Sequence, residues 1–273
     1  MLNVFEPNDP RLKKYVDSIY FIDKGQGEMQ FTSYPSPHTA VGLFRSVAID
    51  VSGNNFTISP MQAGNHLASA FNRLFRPAHM HYKSLLDEIA INFKPLGFAA
   101  FTAWQYKGNT DFFTFTAWDN SLKELFDAVF ATTQPAERML ITEDFLLKKH
   151  APFADEEILT KAIAMLSDPD SDLKIDEIAS QLNVHHKYLY RSFTTNLGSS
   201  PAHFRKIVRF RNAVYSKLDK GEAARFIEIC YSGNYTDQSY FNKQFRDITG
   251  ETPKQFFKGL SSFGSTKVVL RFS

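Results

Sequence analysis

Cysteine is almost missing from this chain: Cys230 is the only one in 273 residues. An intramolecular disulfide and a multi-cysteine zinc site are thereby excluded, and a reducing cytoplasm is the expected compartment. No uncharged apolar run approaches the roughly 18 residues that suggest a membrane span. The stretch MLNVFEPNDPRLKKYVDSIYF lacks a basic region followed by an apolar core, so no secretory leader is expected. Gly-x-Ser-x-Gly, a phosphate-binding glycine loop and His-Glu-x-x-His are absent too. The chain is therefore not expected to be an enzyme or to carry a cofactor.

Apolar material is plentiful. Hydrophobic residues make up 43% and aromatics 15%, with 27 Phe, against 22% charged residues. That is the profile of a folded protein, and the length suits two domains of about 100–200 residues each. The net charge of +2 conceals an asymmetry: 15 Lys/Arg stand against 20 Asp/Glu up to residue 170, and 16 against 9 beyond it. A basic second half suggests a nucleic-acid or membrane-surface module attached to something else.

Residues 1–115 favour strands. TAVGLFRSVAIDVSGNNFTISPMQAG mixes β-branched and aromatic residues, and Gly53-Asn54-Asn55 predicts a hairpin turn. LLDEIAINFKPLGFAAFTAW holds a strand ending near Pro95, and DFFTFTAW alternates as a half-buried strand does. Near residue 120 the period changes. Leu122, Leu125, Phe126, Val129 and Phe130 fall at helical spacing, with Asn120 or Ser121 as cap, and a second helix follows Pro135 toward Lys149. HAPFADEE, around 150–157, reads as the join. Short helices follow, one with Ile158, Leu159, Ala162, Ile163 and Leu166 on a face, the next with Ile175, Ile178, Ala179 and Leu182. The closing TKVVLRFS reads as an isolated strand.

The basic half contains a degenerate repeat. YLYRSFTTNLGSSP, from Tyr188, matches YFNKQFRDITGETP, from Tyr240, at an offset of 52; IASQLNV and ICYSGNY, from Ile178 and Ile229, match at 51. Each copy reads helix, tight turn, helix. Asn183 and Asn234 fall in the turns, where Asn tolerates a left-handed backbone. Thr236 or Asp237 can cap the second copy's last helix. Leu189, Phe193 and Leu197 form an inner face in the first copy, and Phe241, Phe245 and Ile248 do so in the second. His186, Lys187, Tyr190, Arg191 and Thr194, and likewise Gln238, Ser239, Asn242, Lys243 and Arg246, point outward. Short polar and basic side chains on such a helix suit base edges and phosphates in the DNA major groove. PAHFRKIVRFRNAVYSKLDKG reads as one spacer helix of about 17 residues, roughly 25 Å, between Pro201 and Gly221. That length suits two helices set in successive major grooves, about 34 Å apart.

The stretch from Ile175 to Phe257 resembles the DNA-binding domain of the AraC/XylS family of bacterial transcription regulators. NYTDQSYFNKQFRDITGETPKQF is similar to the signature of the second helix-turn-helix, and RFRNA, from Arg209, to part of the linker helix. Asn183 and Asn234 stand where the family has Gly, Cys230 where it has Ala, and His185 where it prefers a Ser cap. The resemblance implies an α+β chain. Residues 1–150 would form a ligand-sensing or dimerisation domain, a cupin-like barrel plus two helices; residues 155–260 would be all-α with two helix-turn-helix units. The ten outward residues would contact DNA, with Arg209 as a phosphate contact or an internal salt-bridge partner. Double-stranded promoter DNA, a small-molecule effector, RNA polymerase and a second copy of the chain are the implied partners, and no membrane. One of the helices at about 121–133 and 136–149 is expected to contribute to the dimer, the Leu122/Phe126/Phe130 face ahead of the other.

Two other readings stand beside this one: a bifunctional protein whose first domain is a metal-dependent cupin-like enzyme, and a regulator whose first domain only dimerises. His79-Met80-His81 places two imidazoles on one side of a strand, and His66 or His38 could complete a set of three. A cupin-type site also wants a Glu a few residues on, and Glu88 lies seven beyond His81. These histidines are therefore read as ordinary surface or core residues. Cys230 is read as a buried structural thiol.

Overall fold

The computed structural model describes residues 1–273 apart from 1, 24, 26, 63, 73, 109, 110, 116, 117, 222–225, 236, 259, 260, 264–267 and 273. The first half runs β1 (Leu2–Phe5), α1 (Pro10–Lys13), β2 (Val16–Ile22), β3 (Met29–Ser33), β4 (Thr39–Arg45), β5 (Val47–Ser52), β6 (Asn55–Pro60), β7 (His66–Asn72), β8 (Ala78–Tyr82), β9 (Glu88–Phe93), α2 (Gly97–Thr102), β10 (Phe112–Thr114), α3 (Asp119–Val129) and α4 (Pro135–Lys149). The second runs α5 (Glu156–Ser167), α6 (Ile175–Gln181), α7 (His186–Leu197), α8 (Pro201–Lys220), α9 (Phe226–Ser232), α10 (Gln238–Thr249), α11 (Pro253–Lys258), β11 (Ser261–Phe263) and β12 (Val268–Phe272).

The strands form two six-stranded sheets, ordered β1-β2-β9-β4-β7-β10 and β11-β12-β3-β8-β6-β5. The turn at Gly53 and Asn54 joins β5 to β6 in antiparallel register, Ser52 opposite Asn55, with Gly53 at φ +60° as a tight hairpin requires. Strand β9 shows why the first sheet is buried on both faces. Ile89, Ile91 and Phe93 point to one side and pack under α2, α3 and α4 with Leu122, Phe126 and Met139. Glu88 and Ala90 point to the other side, toward Phe56, Met80 and Tyr82 of the second sheet. Its alternate residues Glu88 and Asn92 are polar, yet both are buried, so alternation here does not mark a solvent face.

Three expectations need correction, two of them in the first half. The helix α3 begins at Asp119 with Trp118 in the capping position, not Asn120 or Ser121; the Trp118 indole instead donates to Phe101 O at 3.1 Å. Leu122 and Phe126 are fully buried, and Val129 with them, so this face is filled from within the same chain and is no dimer surface. Phe130 is half-buried beneath the guanidinium groups of Arg45 and Arg138. Sequence periodicity reports that a face is apolar; it does not say which molecule covers it.

The third correction concerns the tail. Of TKVVLRFS, Thr266, Lys267 and Ser273 lie outside the described residues, but the strand is not isolated. Strand β12 pairs with β3, Leu270 opposite Ser33 and Phe272 opposite Phe31, so the chain's end closes an edge of the second sheet. The two halves meet elsewhere as well. Tyr34, Leu74 and Leu96 are buried in the core that the helices α5–α11 build. Arg211 of α8, 2% exposed, donates to Pro35 O and Tyr34 O at 2.6 and 2.8 Å. The join itself is packed: Phe153 touches both cores.

Candidate nucleic-acid interface

Two helix–turn–helix units, α6–α7 and α9–α10, stand on either side of the spacer helix α8. Their turns are built alike. After α6, Val184 N donates to Ala179 O and Asn183 N to Ser180 O, both at 3.0 Å. After α9, Tyr235 N donates to Cys230 O at 3.1 Å and Asn234 N to Tyr231 O at 2.9 Å. This is the Schellman pair of bonds, which needs a left-handed residue at its first free position. Asn183 and Asn234 both take φ +54° there. Asn is among the few residues with a side chain that visit this conformation at modest cost.

The second helix of each unit is then capped. In α10 the Asp237 carboxylate accepts from Tyr240 N at 2.7 Å; the other candidate cap, Thr236, lies outside the described residues. In α7 the cap is His185, whose Nδ1 accepts from Lys187 N at 3.1 Å. An imidazole nitrogen thus does the work of a Ser oxygen. Both helices stop at a left-handed glycine, Gly198 (φ +68°) and Gly250 (φ +78°). A side chain at Gly198 would also collide with Asn72 and Tyr106 of the first half.

The inner faces lie as the spacing requires, with Leu189, Phe193 and Leu197, and Phe241, Phe245 and Ile248, all buried. Outward, His186, Lys187, Tyr190 and Arg191 are exposed on α7, and Gln238, Ser239, Asn242, Lys243 and Arg246 on α10. Thr194 differs: it is half-buried, and its hydroxyl donates back to Tyr190 O and Arg191 O of its own helix. At the repeat's offset the two sets correspond one to one, His186 with Gln238, Lys187 with Ser239, Tyr190 with Asn242, Arg191 with Lys243 and Thr194 with Arg246.

The model of the helix-turn-helix domain family matches residues 178–259, the same stretch that carries both units. This stretch is an AraC-type helix-turn-helix domain. Two curated relatives overlap it. A protein of Haemophilus influenzae described as an uncharacterized HTH-type transcriptional regulator is 27% identical over 107 residues, 39% of this chain and 35% of that protein. The Msm operon regulatory protein of Streptococcus mutans is 28% identical over 92 residues, 34% of this chain and 32% of that one. The matches thus span about a third of those relatives' length. Among solved structures, ToxT of Vibrio cholerae aligns with 94% of this chain and 97% of its own, at 12% identity and a TM-score of 0.45.

The spacer of the AraC-type domain, α8, is longer than expected, with 20 residues, or about 30 Å at 1.5 Å each. Arg209 lies on it half-buried, with Nη2 3.8 Å from Asp172 Oδ1. This is the salt-bridge partner expected of it. Cys230 is fully buried in α9; burial pushes its thiol pKa up, away from the reactive thiolate.

Sequence reasoning missed Asp155. It accepts from Tyr188 at 2.7 Å and from Ser192, fastening α7 to the join. No local signal marks it, because its partners lie 33 and 37 residues away. The histidines considered for a metal each have other company. His79 and His81 do share a side of β8, but there His79 meets Thr32, and His81 meets Gln30 and Glu28. His66 lies against the Phe126 ring and His38 beside Ser36. Among the described residues no group of three His, Cys, Asp or Glu could hold a metal ion. Likewise, among them no helix is long and apolar enough to cross a membrane.

Proposed function

We propose that this chain is a sequence-specific DNA-binding transcription regulator acting in the cytoplasm, and not an enzyme. Residues 155–260 would bind promoter DNA, and residues 1–150 would sense a small molecule, dimerise, or both. One observation carries the reading: the two units repeat the same turn and the same buried face, and each turns a polar and basic face outward. A structural helix pair has no need of two such outward faces; a protein that grips two stretches of one duplex does. In this reading Gln238 and Asn242 meet base edges, with His186, Tyr190, Ser239 and Thr194 beside them, while Lys187, Arg191, Lys243 and Arg246 meet phosphates or guanine. Arg209 would meet a phosphate or support the spacer through Asp172. A homodimer and RNA polymerase at the promoter belong to the same reading.

The test is selection of duplexes from a random library by the full-length protein, followed by binding curves on the enriched sequence and on a scrambled one. A preferred sequence should emerge, and affinity should fall steeply with added salt as counterions are released. Failure to enrich any sequence, or binding indifferent to salt, would sink the proposal.

A further inference from the structure

Between the two sheets lies a small cavity of about 50 Å³, walled by Tyr20, Phe31, Phe71, Met80, Tyr82 and Glu88. Its chemistry is lopsided. Among the described residues no Lys, Arg or His lines it, yet it contains a carboxyl group. Glu88 is 2% exposed, and its Oε2 has no hydrogen-bond partner among the described residues. The Tyr82 hydroxyl is a hydrogen-bonding partner of the carboxyl. At Gly42 of the neighbouring strand a Cβ would stand 2.4 Å from the Phe44 ring and 3.3 Å from Glu88 Oε1, so a side chain there would crowd both. A buried carboxyl without a counter-charge is costly, and such groups cluster at functional sites.

We propose that this cavity binds a small organic cation, a short alkylammonium whose nitrogen meets Glu88 and whose hydrocarbon stem packs on Phe31, Phe71 and Met80. The proposal rests on the reading of residues 1–150 as a small-molecule sensor and names the class of molecule sensed. The size follows from the cavity: benzene needs a cavity of about 150 Å³, so only a few heavy atoms fit here. The sign follows from the wall. A carboxylate acceptor beside a tyrosine hydroxyl suits an N–H donor carrying positive charge, and an anionic ligand would meet no cation.

Proton linkage makes the class testable. Burial raises the Glu88 pKa to about 8, and the titratable groups facing it are Tyr82 and, beyond it, Tyr20. Below that pH the carboxyl keeps its proton, which an entering cation must expel. Affinity for an ammonium should therefore rise about tenfold per pH unit up to about 8 and then level. A ligand that accepts a hydrogen bond from the protonated acid would show the opposite trend.

The probe is propylammonium chloride, read by ligand-observed NMR on the full-length protein without DNA at constant ionic strength. Propan-1-ol serves as the neutral isostere and propanamide as the hydrogen-bond acceptor. Propylammonium should bind about tenfold more tightly at pH 7.5 than at pH 6.5, propan-1-ol should not compete, and Glu88→Gln should abolish binding at every pH. The amide is nearly isosteric, and its fold is checked by circular dichroism; the pH trend of the unmodified protein decides the matter even if the variant fails to fold. Flat pH dependence, undiminished binding to E88Q, or tighter binding of propanamide at low pH would each overturn the proposal. Since no DNA is involved, such a result removes the ligand class and leaves the DNA-binding reading to its own test.

Discussion

The two helix-turn-helix units share a backbone but differ in what holds them. Tyr188 and Ser192 of the first correspond to Tyr240 and Gln244 of the second. In the first unit both hydroxyls reach Asp155 and tie α7 to the join. In the second the matching pair bond each other in the open. The end of α7 is gripped by the strand half, with Tyr106 N donating to Thr195 O at 2.8 Å and Asn72 Nδ2 to Leu197 O at 3.3 Å. The second unit reaches that half just past its helix, where the Tyr34 hydroxyl donates to Glu251 at 3.4 Å. The outward faces differ likewise: α7 presents His, Lys, Tyr and Arg, whereas α10 presents two amides among its polar groups. The lesson is that a repeat can preserve geometry while its copies come to be held by different contacts.

The largest effect should be common to both units. Phe193 and Phe245 occupy equivalent, fully buried positions. Phe193→Ala and Phe245→Ala should each cost about 3–5 kcal/mol in urea unfolding. Phe245 should lie at the upper end, since its ring meets those of Phe210, Phe241, Phe256 and Phe257. A cost below about 1 kcal/mol at either site would break the structural equivalence.

Asymmetry should appear next, in binding. Asn242→Ala should lose about 1–3 kcal/mol on the selected duplex and little on a scrambled one, measured at the same salt. Lys187→Ala should weaken both duplexes by similar factors. If the ratio of selected to scrambled affinity does not move in Asn242→Ala, the second unit is not the base reader.

Anchoring is the third difference. Asp155→Ala strips the acceptor from Tyr188 and from Ser192, which is 2% exposed, and should cost about 1–3 kcal/mol in thermal or urea unfolding. Tyr240→Phe, which breaks the exposed counterpart, should cost no more than about 0.5 kcal/mol. Equal losses would mean that the first unit is no more firmly held than the second.

The smallest effects are local. His185→Ala and Asp237→Ala should each cost about 0.5–2 kcal/mol, the expected worth of a helix cap. Asp172→Ala, which leaves Arg209 without its long and solvent-exposed partner, should cost under about 1 kcal/mol.

The sequence by itself determined what depends on neighbours along the chain. The helix periods, the two turns at Asn183 and Asn234, the glycine stops and the outward residues all follow from spacings of a few residues, and the repeat makes each visible twice. The hairpin at Gly53 belongs with them, as does the Pro135 start of α4. Tertiary structure decided whatever depends on partners far along the chain. Periodicity showed that Leu122 and Phe126 form an apolar face, but only the packed sheet shows that the chain covers it itself. Nothing near Arg211, Asp155 or Arg271 announces acceptors or partners so far away in sequence. Strand β12 could find its place only once β3, more than 200 residues earlier, offered an edge. Glu88 is the clearest case. Within EIAINF it reads as an ordinary strand residue, because the alternation that places it is silent about what stands opposite. Its buried carboxyl acquires a meaning only when the second sheet closes over it, since the cost of burying a charge depends on every wall of the cavity at once.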